Sequence, residues 1–489
     1  MQQNKVGEQK LYKRLGHSSL LLVLVLTALI SQLRAESFAD FRRDQSSGFK
    51  NYKEENDRIF TSYLKSDWEA YYLKDPLSTY KEKKPREIYP ARNIVVKKQG
   101  PRVNIEVEKK KAHLETVIPV VAKKDINFDF FGTKIALNIP QGMEKAKFYP
   151  QSKEGVSAYF DTVVLSPYES LIKNIKNISY DLNLNDWGKY MLITKLSDAI
   201  FVNQDESRLL SWFIFNKLGY AVRVGLANRH VVVMHYSEKT IYATPNYNIA
   251  KKKFYIVSNY TKGNAGKVFT YKQNYPEADK PLDLSMKSLP KFVQKRMEKT
   301  LHFMQYGERY DIKYTYNQNL IDFMATYPQA DYETFFNAPL DNSSYREIAA
   351  ELKKYINAKQ ASVTLNFVLN FVQNAFKYEV DSQQFGREKV MFAQETLYYD
   401  KSDCEDRAIL FSYLVKELFH IDVVGVKYKD HMATALYIPI KGDGVKIYNK
   451  KYIIADPTYV NASIGQSMPK YRKIKPNSFI FVKRKKEKE

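Results

Sequence analysis

Apolar and polar positions along the chain change period several times, and each change marks a boundary. Residues 1–16 are mostly polar, an apolar run from Leu20 to Leu33 follows, and Arg34-Ala35-Glu36 restores charge. Aromatics then recur every eleven residues, in the rows Phe38, Phe49, Phe60 and Phe41, Tyr52, Tyr63. Eleven residues make three helical turns, so both rows fall on one stripe, and 36–75 reads as an amphipathic helical arm. Pro76, Pro85, Pro90 and Pro101 among many lysines mark 76–125 as a basic linker. Strand-like alternation begins at Ile126–Phe131 and Lys134–Ile139, and helical and strand segments continue to about 260. The stretch 261–345 is a mixed connecting region, with a helix expected near Leu289–Tyr306. A compact unit follows over 346–480, and 481–489 is a charged tail expected to be disordered. Helices and strands in this order predict an α+β fold.

The polar start, the short apolar run and Arg34-Ala35 predict a secretory signal peptide over 1–35. The run is too short to span a bilayer comfortably. A small residue is preferred where Leu33 stands, so an uncleaved anchor, with membrane association through the N-terminus, is the alternative. The expected location is periplasmic or secreted. Of the formal charge of +23, residues 1–35 carry five Lys/Arg against one Glu, which leaves +19 for the rest. Basic residues are spread out, with clusters at Lys109–Lys111, Lys251–Lys253 and Lys483–Lys488. The sequence contains no zinc-finger or RNP-like pattern, and export argues against a genomic target, so nucleic acid is not the expected partner. The charge suits anionic envelope surfaces or acidic polymers, and equally a plain solvated basic surface.

One cysteine in an exported chain cannot form an internal disulfide. A buried core thiol is its ordinary fate. Here Asp403-Cys404-Glu405-Asp406 follows a turn-like Tyr399–Ser402 and precedes the helical run Ala408, Leu410, Phe411, Leu414, Val415, Leu418. Asp403 is a good N-cap, which puts Cys404 at a helix start, where the dipole and free N–H groups favour a thiolate or an oxyanion. The neighbouring carboxylates oppose that shift, so a cationic partner is needed. Ile421–Lys427 reads as a strand, His431 opens another over Met432–Pro439, and Tyr452–Ala455 ends in Asp456-Pro457-Thr458. A sheet packed on the Cys404 helix would set His431 beside the thiol and Asp456 behind His431, the layout of nucleophile, base and orienting acid.

This order of Cys at a helix start, then His and Asp on adjacent strands, resembles the transglutaminase-like (papain-like) superfamily. The Glu395-Thr396-Leu397 triplet ahead of Asp403-Cys404-Glu405-Asp406 is similar to bacterial transglutaminase-like cysteine proteinases. The resemblance covers about 346–465. It implies Cys404 as nucleophile, His431 as base and Asp456 as orienting acid, acting on a protein or peptide substrate in the cell envelope. Acyl transfer to an amine, crosslinking protein, is one alternative; a non-catalytic envelope binding protein is another. No cofactor is required. The resemblance also allows calcium on Asp403, Glu405 and Asp406, residues that serve equally as helix caps.

Shifting the chain by 200 residues aligns Asn203-Gln204-Asp205-Glu206 with Asp403-Cys404-Glu405-Asp406, and Leu210, Leu218, Val224, Gly225 with Leu410, Leu418, Val424, Gly425. With small register changes His230 falls on His431, and Thr244 on Asp456. Residues 126–260 are therefore expected to be a degenerate copy of the C-terminal domain, unable to catalyse because Gln204 and Thr244 replace nucleophile and acid.

Overall fold

A computed structural model describes residues 48, 51–73, 84–85, 88–92, 96–107, 124–257 and 266–483. The run Leu20–Leu33, Lys109–Lys111 and the tail after 483 lie outside the described residues. Among the described residues no helix is long and apolar enough to cross a membrane. The chain divides into two units, 1–63 and 64–489. In the first, residues 51–63 are helical, and Phe60 meets Tyr63 edge to face at 6.4 Å. Helix continues only to 65, short of the expected 75. Glu69–Tyr72 (β1), within the second unit, is a strand instead, because it pairs along its length with Lys267–Thr270 of the same unit.

The second unit is α+β. After β1 and the linker it has a hairpin of Ile126–Phe130 (β2) and Thr133–Leu137 (β3), turned through Phe131 and Gly132, both at positive φ. A helical layer leads to Gln204–Lys217 (α1). Then come Val222–Ala227 (β4), His230–Tyr236 (β5), Asn246–Ile249 (β6), Lys252–Tyr255 (β7) and Lys267–Thr270 (β8). They form one sheet in the order β1-β8-β4-β5-β7-β6.

Arg296–Gln305 (β9) and Glu308–Asn317 (β10) make a ten-residue hairpin across Tyr306-Gly307, where φ is 51° and 85°. The helix expected near Leu289–Tyr306 is therefore absent. Leu301 and Phe303 point inward on alternate positions, while Met297 and Met304 are 44% and 52% exposed. Period two wins because the cross-strand partner supplies Ile312 and Tyr314 as buried neighbours.

Helix Ala361–Asn374 (α2) precedes Cys404–Phe419 (α3). The chain continues through Val423–Lys427 (β11), Met432–Leu436 (β12), Gly444–Ile447 (β13), Lys450–Ala455 (β14) and Ser478–Phe481 (β15). The second sheet runs β15-β11-β12-β14-β13, antiparallel throughout. Strands β11 and β12 are buried at every position, since α3 covers one face and a core of Val424, Val426, Ala435, Ile454 and Tyr471 fills the other. Double coverage is why both read as continuous apolar runs.

Leaving β1 aside, the first sheet runs β8-β4-β5-β7-β6, the same chain-order pattern, and each sheet follows a helix (α1 or α3). Gly225 and Gly425 hold one equivalent position. A Cβ on Gly225 would lie 2.3 Å from Val268 of β8; on Gly425 it would lie 2.8 Å from Phe336 and 3.3 Å from Ile480 of β15. The described parts of the linker are tied to the C-terminal half. Arg102–Val103 pairs with Lys359–Gln360, Ala91 N donates to Val460 O at 2.8 Å, and Tyr378 Oη donates to Pro85 O at 2.8 Å.

Candidate functional site

Helix α3 starts where the sequence places it. Asp403 is its N-cap residue, and the Asp406 carboxylate reaches back to accept from Asp403 N at 3.3 Å and from Met391 N at 2.8 Å. Arg407, fully buried, donates to Ser402 Oγ at 3.0 Å and to the carbonyls of Gln373 and Phe376 at 3.1 and 2.7 Å. The first turn of α3 is thereby pinned to the end of α2, and Cys404 Sγ with it.

His431 sits in the four-residue turn between β11 and β12, whose Tyr428 N donates to His431 O at 2.8 Å. Strand β14 pairs with β12, Thr434 facing Ala455, so the next residue, Asp456, emerges beside that turn. His431 Nε2 and Asp456 Oδ2 are 2.8 Å apart, with side chains 0% and 2% exposed. Asp456 Oδ1 accepts from Thr458 N and Tyr459 N at 3.0 and 3.2 Å. Asp456-Pro457 thus builds a turn and fixes an acid at once. Gln373 of α2 donates to the carbonyls of Asp456, Tyr459 and Ala462 at 3.0, 2.9 and 3.1 Å, clamping the loop behind the acid. Tyr471 stacks on the imidazole at 4.8 Å between centroids. His431 Nδ1 is buried and meets no hydrogen-bond partner among the described residues. Cys404 and His431 line one narrow cleft, too tight in this state to admit a water molecule, with Tyr332, Lys427 and Asp430 on its walls.

The electrostatics run against the expectation of a ready thiolate. Cys404 is 2% exposed and donates Sγ–H to Glu405 Oε2 at 3.1 Å. Burial first, then the charges of Glu405 and Asp403, push the thiol well above its ordinary value, with Lys84 opposing. The helix dipole is outweighed because full negative charges lie closer than its partial positive one. The cation that the sequence reading required is Lys84, from the linker. Its Nζ is 2.6 Å from Asp403 and 3.0 Å from Glu388, touches Glu405, and reaches Asp381 at 3.4 Å. Burial would lower the Lys84 value, but Glu405, Asp403 and Asp381 outweigh it and the ammonium stays charged. Burial likewise works against Glu405, yet Lys84 holds that carboxyl down at about 2. Sequence reasoning missed Lys84, Glu388 and Asp381, and nothing local distinguishes Lys84 from Lys81 and Lys83 beside it.

Asp381, Glu388, Asp403, Glu405 and Asp406 form overlapping clusters whose oxygens suit a hard cation. The donor set fits calcium in kind, but the Lys84 ammonium lies among the same oxygens. Cys404, a soft ligand, adds nothing for that ion.

The upstream residues do not assemble likewise. Gln204 opens α1 as Cys404 opens α3, and its Oε1 accepts from Arg208 at 3.1 Å. His230 pairs with Ala227 across the strands as Met432 pairs with Lys427. The turn before it has two residues rather than four, so the position of His431 has no counterpart there. The His230 side chain is 56% exposed, with Nδ1 3.0 Å from Asp205 Oδ2. Thr244 precedes the edge strand β6 and donates to Tyr242 O at 2.9 Å. Asp456 instead follows β14, whose topological equivalent is β7, so the alignment of Thr244 with Asp456 is out of register.

No protein-family model matches the chain, and no curated protein or solved structure is detectably similar to it. The site is read from its own geometry.

Proposed function

We propose that this chain is a cysteine-dependent hydrolase of peptide or amide bonds, transglutaminase-like in its reactive residues, acting in the cell envelope or outside the cell. One observation carries the reading: a fully buried His431 bonded through Nε2 to Asp456, its other ring nitrogen unclaimed by the described residues, lining the cleft that Cys404 also lines. His235, packed against Tyr190 and Phe215, also leaves Nδ1 unmet, so what sets His431 apart is its bond to Asp456 and its place beside Cys404.

Because the resting thiol is neutral, the thiolate forms as the reaction proceeds. His431 Nδ1 takes the Sγ proton while sulfur attacks the substrate carbonyl carbon. Asp456 keeps the proton on Nε2 and stabilises the imidazolium. As the C–N bond breaks, the imidazolium returns its proton to the leaving amine. Water then attacks the thioester through the same histidine, releasing the acid and the free thiol. Entry requires Glu405 to give up the Sγ–H bond, which its contact with Lys84 makes feasible. No cofactor takes part in these steps; calcium, if bound, would displace Lys84 among the acids.

The test is product identification after incubation with envelope proteins, with and without an isotope-labelled primary amine. New peptide termini that vanish with Cys404→Ala are expected. Incorporation of the amine would turn the reading to acyl transfer, and no Cys404-dependent product would leave a binding protein.

A further inference from the structure

A second cleft shares no lining residue with the Cys404 site. It offers about 220 Å³ between α2, the tip of the β9–β10 hairpin and the loop 461–463. None of its lining residues is charged, although 27% of the chain is. The wall on α2 is a row of amides, Asn366, Asn370 and Asn374, in a helix otherwise largely apolar. A neutral, hydrogen-bonding surface of this kind selects an uncharged ligand with donors and acceptors of its own.

The same helix already grips peptide backbone. Asn366 Oδ1 accepts from Ile464 N at 2.8 Å, and Gln373 Nε2 donates to three carbonyls of the 456–462 segment. Asn370 lies one turn from both Asn366 and Asn374. Its Oδ1 is shielded from solvent and accepts nothing from the described residues. Four residues of helix advance ~6 Å, close to the ~6.6 Å between alternate residues of an extended chain. A side-chain amide offers one acceptor edge and one donor edge, matching a peptide group.

We propose that this cleft binds an uncharged stretch of extended peptide, with Asn370 pairing to its backbone amides and Asn374, whose Nδ2 donates to Asn370 O at 3.2 Å, offering its carbonyl oxygen under the hairpin tip. Peptide is favoured over saccharide because the amide row matches its repeat and the helix grips backbone elsewhere. The proposal is independent of turnover at Cys404, so binding tests it whether or not the hydrolase reading holds.

The experiment uses the full chain carrying Cys404→Ser. The probe is an octapeptide of Gly, Ser, Ala and Asn with blocked ends and a neutral dye, followed by fluorescence anisotropy. Saturable binding is expected, weakened about tenfold by Asn370→Ala, the effect of one or two hydrogen bonds. Hydrogen exchange on the same protein without the Asn370 change should slow at 304–307 and 461–463 when peptide is added. That second readout holds even if Asn370→Ala fails to fold. No saturation by about 1 mM peptide, a range that spans weak specific sites, would overturn the proposal. So would unchanged affinity in a folded Asn370→Ala, no exchange protection at those segments, or protection there by an N-acetylglucosamine tetramer and none by peptide.

Discussion

Replacing Asp456 by asparagine changes one atom's chemistry and leaves the shape. Asp456 Oδ1 is committed to Thr458 N and Tyr459 N, so the asparagine carbonyl stays there and its NH₂ turns to His431 Nε2. A ring nitrogen facing a donor must accept, which moves the ring proton to Nδ1 and removes the lone pair needed for the thiol proton. The lost charge-assisted hydrogen bond is worth about 1.5–3 kcal/mol. Both side chains are at most 2% exposed, so water screens little of it. At about 1.4 kcal/mol per factor of ten, the thiolate–imidazolium pair becomes about 10- to 150-fold rarer. The assay is the rate at which a peptide vinyl sulfone labels Cys404, read by intact mass, alongside ¹⁵N spectra of the seven histidines. Labelling should slow by that factor while one histidine moves its proton from Nε2 to Nδ1. A rate within twofold of the parent, or an unchanged tautomer, would refute the reasoning.

Removing nucleophile or base outright is harsher: Cys404→Ala and His431→Ala should each abolish turnover, measured as Cys404-dependent products from envelope proteins. Burial, then the Asp406 charge, raise Asp381 to about 8 against the pull of Lys84. The fold then holds a proton that the unfolded chain has released, so this group's contribution to stability falls as pH rises through that window. Urea midpoints measured from pH 5 to 8 should show a downward component that Asp381→Asn removes; an unaltered profile would contradict the assignment. Lys84→Met should free the acid cluster and tighten calcium binding about tenfold by titration calorimetry, since like charges gain the most from a hard cation. Equal affinities would mean that Lys84 and calcium do not share the site.

The local frame around Cys404, His431 and Asp456 was legible because each part is written in short-range terms. A capping aspartate and an apolar period place Cys404, while buried runs ended by turn residues place His431 and Asp456. Lys84 was not legible, since its role depends on a linker crossing about three hundred residues of sequence to reach Asp403. Neither was the thiol's neutrality: the carboxylates of Glu405 and Asp403 were visible beside it, but not that burial would strengthen them. Met297, Leu301 and Met304 stand at helical spacing, which imitates a helix where the partner strand makes a hairpin; Met304, exposed on the face opposite Leu301 and Phe303, shows which period the core obeys. The strand order common to both sheets followed the repeated apolar pattern, whereas Thr244 was misaligned because β6 and β7 reverse the order in which chain and sheet are read.

The central claim is that folded Cys404 reacts through His431. Labelling by the peptide vinyl sulfone tests it most directly, with native protein, native His431→Ala and urea-unfolded chain compared at pH 7. The account predicts one adduct on Cys404, formed fastest in the native protein and nearly lost in His431→Ala. Labelling confined to the unfolded chain, or equal in His431→Ala, would make Cys404 a buried structural thiol.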